Sequence, residues 1–242
     1  APGVSSAAAT AARVAQIKKD YEDMMTRFAA EFTAAGEHFP GGLNAYLRQL
    51  ALLEREKWKD LSAILTPREL EDLQMQDTHA GQLTRECLAN TAATDEQRRA
   101  VFRLQQEFDD KWALTFDLSA ATLLARQTER QATQEKILAL LGPDLFGAWL
   151  HGEGSDYALS VDWAARQGFA PDFALNEWRL KSEFELARLQ LTVQAQAQRF
   201  SREEVEGREA ELAQRMRERA RAVFGPTVIE AAQGSGRFSW LR

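Results

Sequence analysis

Leu65-Thr66-Pro67 opens a stretch that this chain carries twice. At residues 141–143 the same place is held by Leu141-Gly142-Pro143, 76 residues on, and Phe224-Gly225-Pro226 begins a third copy. In that gap-free register Phe102-Arg103-Leu104 meets Trp178-Arg179-Leu180, and Glu107-Phe108-Asp109 meets Glu183-Phe184-Glu185. Leu83 falls on Leu159 and Ala89 on Ala165. Apolar residues within the stretch recur every three or four positions, never every second one, so the repeated unit is helical. Copied helical units bury their apolar faces against one another, and the product is a scaffold. The expected fold is therefore all-α: an elongated multi-helix bundle of antiparallel helical hairpins with an internal tandem duplication. Residues 1–64 read as an N-terminal hairpin, 65–140 and 141–223 as the two repeats, and 224–242 as a truncated third start and tail, all in one continuous domain.

The boundaries follow from glycine, proline and capping residues. The first helix is expected from about Ala8 to Ala35, with Val14, Ile17, Tyr21, Met24, Phe28 and Phe32 in one stripe and Gly36 as the stop. Pro40-Gly41-Gly42 turns the chain into a second helix over about Leu43 to Ile64. Thr66-Pro67-Arg68-Glu69, Thr94-Asp95-Glu96-Gln97 and Ser201-Arg202-Glu203-Glu204 are capping boxes, each a helix start. Gly81, Gly152, Gly154 and Gly168 read as interruptions or ends. The last long helix carries Val205, Leu212, Met216 and Val223 at seam spacing. Ala1 to Ala12, small and uncharged, has the look of the start of a mature exported chain, with a disordered tip.

A length of 242 residues with 45% hydrophobic and 27% charged side chains suits a folded protein with a sizeable core. The net charge of −6 argues against nucleic acid or an anionic membrane surface, which need clustered positive potential. No apolar run approaches the ~20 residues of a membrane span. Cys87 is the single cysteine, so no disulfide within the chain is possible, and its place beside Leu83 and Leu88 reads as packing.

Leu65-Thr66-Pro67-Arg68-Glu69 resembles the Leu-Thr-x-x-Gln motif of periplasmic helical stress proteins of the Spy and CpxP kind, with Glu69 where that family has Gln. Leu65 to Leu70, Phe102 to Asp109 and Leu141 to Pro143 together are similar to exported helical proteins of bacteria that share a Leu-Thr-Pro start, a Phe-x-Leu-x-x-x-Phe-Asp helix and a Leu-Gly-Pro restart. The first resemblance implies a cradle-like, non-enzymatic chaperone or sensor, and both imply a periplasmic or secreted setting. The residues themselves leave a cytoplasmic setting open.

Chemistry-bearing patterns are sparse. Arg103 with Glu107, and Arg179 with Glu183, stand four apart at the same repeat position; they suit surface ion pairs within one helix, or a partner's charged groups. His38, His79 and His151 lack ligand spacing, and no phosphate loop or nucleophile motif is present. No catalytic residue, metal or cofactor is expected. Arg237-Phe238-Ser239-Trp240-Leu241-Arg242 is apolar and basic after a flexible Gly234-Ser235-Gly236, so it folds back on the body or docks on a partner. The candidate partner-binding residues are Arg103, Glu107, Arg179, Glu183, Phe238 and Trp240. The expected function is binding of a protein or peptide, or self-association. The alternatives are a structural subunit of a larger assembly and an enzyme of unrecognised type.

Overall fold

The computed structural model describes residues 3–152, 157–170, 172–234 and 236–238. Among these residues the fold is all-α, with ten helices and no strand. They are α1 (Gly3–Ala35), α2 (Gly42–Ser62), α3 (Pro67–Asp77), α4 (His79–Leu88), α5 (Asp95–Trp112), α6 (Ala120–Gly152), α7 (Tyr157–Gln167), α8 (Phe173–Gln198), α9 (Arg202–Phe224) and α10 (Pro226–Gly234). α6 is broken at Gly142 (φ 75°, ψ 167°), directly before Pro143. From Pro67 to Gly142, then, the helices run short, short, long, long, and from Pro143 to Phe224 the same series recurs.

Local chemistry explains the starts. Thr66 Oγ1 accepts from the Glu69 amide at 3.3 Å, while the Glu69 carboxylate accepts from the Thr66 amide at 2.9 Å. Ser201 and Glu204 reproduce this at 3.2 and 2.7 Å, and Thr94 and Gln97 at 3.1 and 3.0 Å. Two boundaries differ from the sequence expectation. α1 already runs from Gly3, because alanine is the best helix former and three precede Thr10. The break expected at Gly81 lies at Thr78, whose hydroxyl accepts from the Gly81 amide at 3.2 Å. Gly81 instead permits a close approach: a Cβ there would overlap the Met75 backbone.

The chain forms two compact units. The first comprises Ala1–Gln82 with Asp109–Phe116, the second Leu83–Phe108 with Asp117–Arg242. In the first, α1 and α2 are an antiparallel hairpin. Tyr21 donates to Asp60 at 2.9 Å near one end, and Phe32 stacks on Tyr46 at 4.1 Å near the other. Gly41 and Gly42 turn the chain with φ of 76° and 64°.

The second unit holds two cores. One joins Cys87, Leu88, Val101, Ile137, Phe146 and Trp149. The other joins Trp163, Phe173, Phe184, Leu212, Met216 and Phe238. On α9 the expected seam is only partly inside: Leu212 and Met216 are buried, but Val223 is exposed and Ala220 takes the inward place. Steps of seven drift on a straight helix of 3.6 residues per turn, so the end of the stripe leaves the contact.

Candidate partner-binding surfaces

The hairpin of the first unit has an unusual distribution of exposure. None of the α1 side chains from Ala7 to Ala35 is buried, and on α2 only Leu61 is. Yet α1 carries an apolar stripe. Two helices cover only the strip where they touch, and a stripe of 100° or more leaves the rest uncovered. The largest part is aromatic. Phe28, Phe32, Phe39 and Tyr46 are all half-buried, with Phe28–Tyr46 and Phe32–Tyr46 stacked at 5.4 and 4.1 Å and Phe28–Phe39 and Phe32–Phe39 edge-on at 5.5 and 5.0 Å. Aromatic side chains of this kind supply large contact area with few rotors to freeze.

Toward the start of α1 the same surface deepens into a groove of about 850 Å³, lined by Ala11, Val14, Ala15, Leu65 and Leu73 and edged by Lys18, Lys19, Glu22 and Glu69. Lys18 is tied to Asp77 at 2.6 Å. Burial and a hydrogen bond to the Asp60 carboxylate push the Tyr21 hydroxyl up to about 12, which keeps that phenol a donor. Charges along the hairpin balance: residues 1–62 contain eight Lys or Arg and eight Asp or Glu.

The second unit has a pocket of about 660 Å³ between the part of α6 after Pro143, α7 and the start of α8. Its floor is small and apolar, with Gly147, Ala148, Ala158 and Ala165, and its polar lining is Asp144, His151, Tyr157, Asp162 and Asp172. Burial, and then the Asp144 carboxylate, push the Tyr157 hydroxyl above the usual tyrosine value. A Cβ on Gly147 would strike the Tyr157 ring, so glycine is what admits that ring. Among the described residues no three His, Cys, Asp or Glu converge as metal ligands. No helix there is long and apolar enough to cross a membrane.

The expected site residues separate. Arg103 and Glu107 are exposed on α5, whereas Phe108 beside them is buried. Arg179 and Glu183 correct the reading of an ion pair within one helix. Arg179 donates to both oxygens of Glu135 on α6 at 3.3 Å, and Glu183 pairs with Arg219 on α9 at 2.7 Å. Long side chains on α8 reach the helices packed to either side of it, which hold opposite charges at the right height. Phe238 is 4% exposed, packed in its own chain's core against Phe173 and Phe224, and so has nothing left to offer a partner. Folding back is thus the outcome for residues 236–238; Trp240 lies outside the described residues. Sequence reasoning flagged the tail from Arg237 but passed over Glu177 and Ser160, which Arg237 meets in the second unit. The sequence signal for this receptor side was Glu177 alone, charged among the apolar Phe173, Leu180 and Phe184 of its helix.

Known protein families, curated proteins and solved structures give no match to this chain.

Proposed function

We propose that this chain is a non-enzymatic helical binding protein, working in the periplasm or outside the cell, whose α1–α2 hairpin takes an amphipathic helix of a partner protein. The observation that carries this reading is the half-covered stripe of α1: 33 residues of helix without a buried side chain among those described, with Phe28 and Phe32 clustered on Phe39 and Tyr46. A third helix laid along the hairpin would cover that stripe, as in other helix-in-groove recognition. The extracytoplasmic setting rests on the resemblance of the Leu65 to Leu70 start to exported helical proteins.

A second reading, that of a structural subunit, uses the same face against another copy. The balanced charge of the hairpin favours it, since like surfaces then do not repel. One experiment separates the two. Fluorescence anisotropy with a labelled amphipathic helical peptide is run beside light-scattering mass measurement, on the native chain and on Phe28→Ser/Phe32→Ser. Saturable peptide binding by a monomer, lost in the variant, supports the partner-helix reading. A native dimer that the variant dissolves supports the subunit. A native monomer that ignores the peptide refutes both.

A further inference from the structure

The segment after α10 enters the second unit as a ligand enters a receptor. α10 ends with a bond from the Arg237 amide to the Ala232 carbonyl at 2.9 Å, and Gly236 at φ 74° supplies the left-handed residue that such an ending needs. Arg237 then points inward. Its Nε and Nη2 both donate to Glu177 Oε2, at 3.1 and 3.0 Å. Nη1 donates to the Leu159 carbonyl at 3.3 Å, and Nη2 also donates to Ser160 Oγ. The guanidinium lies 5.4 Å from the centre of the Trp163 ring. The pair is nearly shut off from water, with the Arg237 and Glu177 side chains 14% and 8% exposed. Phe238 fills the adjoining aromatic slot, 5.7 Å from Phe224 and 6.4 Å from Phe173.

Every receptor group here lies between residues 159 and 224, on α7, α8 and α9. The groups suit a guanidinium and not an ammonium: a carboxylate oxygen, a hydroxyl and a carbonyl placed in the donor plane, with an indole against the face. Glu177 is buried, so a vacant site would hold an unpaired carboxylate, which is costly and favours refilling by any matching group. We propose that this is a recognition site for an arginine–aromatic peptide segment, occupied in cis by Arg237-Phe238 and open to the same segment in trans once the cis copy is withdrawn. It lies apart from the hairpin and does not rest on the hairpin reading. The short tether keeps the cis segment at an effective concentration in the millimolar range, so trans peptides compete poorly against it.

The test uses the full chain carrying Arg237→Ala/Phe238→Ala, and a labelled peptide of residues 234–242. The vacated variant should bind the peptide about tenfold or more tightly than the native chain does. Binding should vanish when Glu177→Gln is added, and also when the peptide's arginine at position 237, but not the one at 242, is replaced by alanine or lysine. A folded vacated variant that ignores the peptide overturns the proposal, as does binding indifferent to Glu177→Gln. If the vacated variant loses helicity, the peptide should restore the circular dichroism signal; failure to restore it equally overturns the proposal.

Discussion

Phe108 and Phe184 stand 76 residues apart, each four residues after a leucine, and each is nearly sealed: 4% and 7% exposed. Phe184 belongs to the core with Leu180, Leu212 and Met216, while Phe108 lies under the guanidinium groups of Arg126 and Arg130 at 6.0 and 5.5 Å. Truncating either ring to alanine removes its transfer energy and leaves a cavity that helix backbones cannot close. The expected cost is about 3–5 kcal/mol for each. Phe184 likewise has the Arg188 guanidinium over its ring at 5.9 Å, so either truncation also loses about 0.5–1 kcal/mol of cation–π attraction. Arg179→Ala is the contrast. Its two bonds to Glu135 are long at 3.3 Å, and the two side chains are 48% and 41% exposed, so water and salt screen the pair. Its loss should cost under about 1 kcal/mol, and the exposed Arg103 should behave likewise. Urea unfolding followed by far-ultraviolet circular dichroism reads all four, and all four lie in the second unit, so one transition reports them. Arginine variants that unfold the unit while the phenylalanine variants stand would mean that the inward faces of α5 and α8 are misassigned.

Three further outcomes are expected. Gly152→Ala places a methyl into Cys87 Sγ and its backbone, so it should destabilise by about 1–3 kcal/mol, with Cys87→Ala relieving part of the loss in a double-mutant cycle of thermal melts. Tyr21 has a raised folded value of about 12, so its contribution is complete below the ordinary tyrosine value of about 10 and is lost as pH rises from there through about 12. Tyr21→Phe should flatten that limb of the stability profile, and an unchanged slope would sink the assignment. Glu69 and Glu204 are held below the ordinary glutamate range by the Thr66 and Ser201 groups they cap, so their support is present above that range and lost as pH falls through the lowered values. Amide protection factors, taken relative to the intrinsic exchange rate at each pH, should then fall at the first turns of α3 and α9 on acidification, while the start of α5, capped by the uncharged Gln97, should not follow.

Much of the fold was legible because its punctuation is local. A capping box needs four residues, and Gly142, Gly168 and Gly225 mark helix ends by a positive φ that other residues avoid. The partners of Arg179 and Glu183 were not legible, since 44 residues separate Arg179 from Glu135, and the i,i+4 rule knows only its own helix. Arg237 and Glu177 are 60 apart, and no periodicity connects a tail to a helix face.

The largest gap concerns α1, and it has a physical cause. A stripe at three- and four-residue spacing states that one side of a helix is apolar, and nothing about whether anything covers it. Val101, Phe102 and Phe108 on α5 lie in such a stripe and are buried. Tyr21, Phe28 and Phe32 on α1 lie in another and are only half-buried. The second unit surrounds its helices with neighbours on several sides, whereas α1 packs chiefly on α2 and meets α3 only near the Lys18–Asp77 pair. The partner helix proposed above would cover that half-bare stripe. Hydrogen exchange of α1 with and without the labelled helical peptide tests that step directly: protection confined to residues on the Phe28 and Phe32 face supports it. Uniform exchange in both states would mean the stripe stays wet.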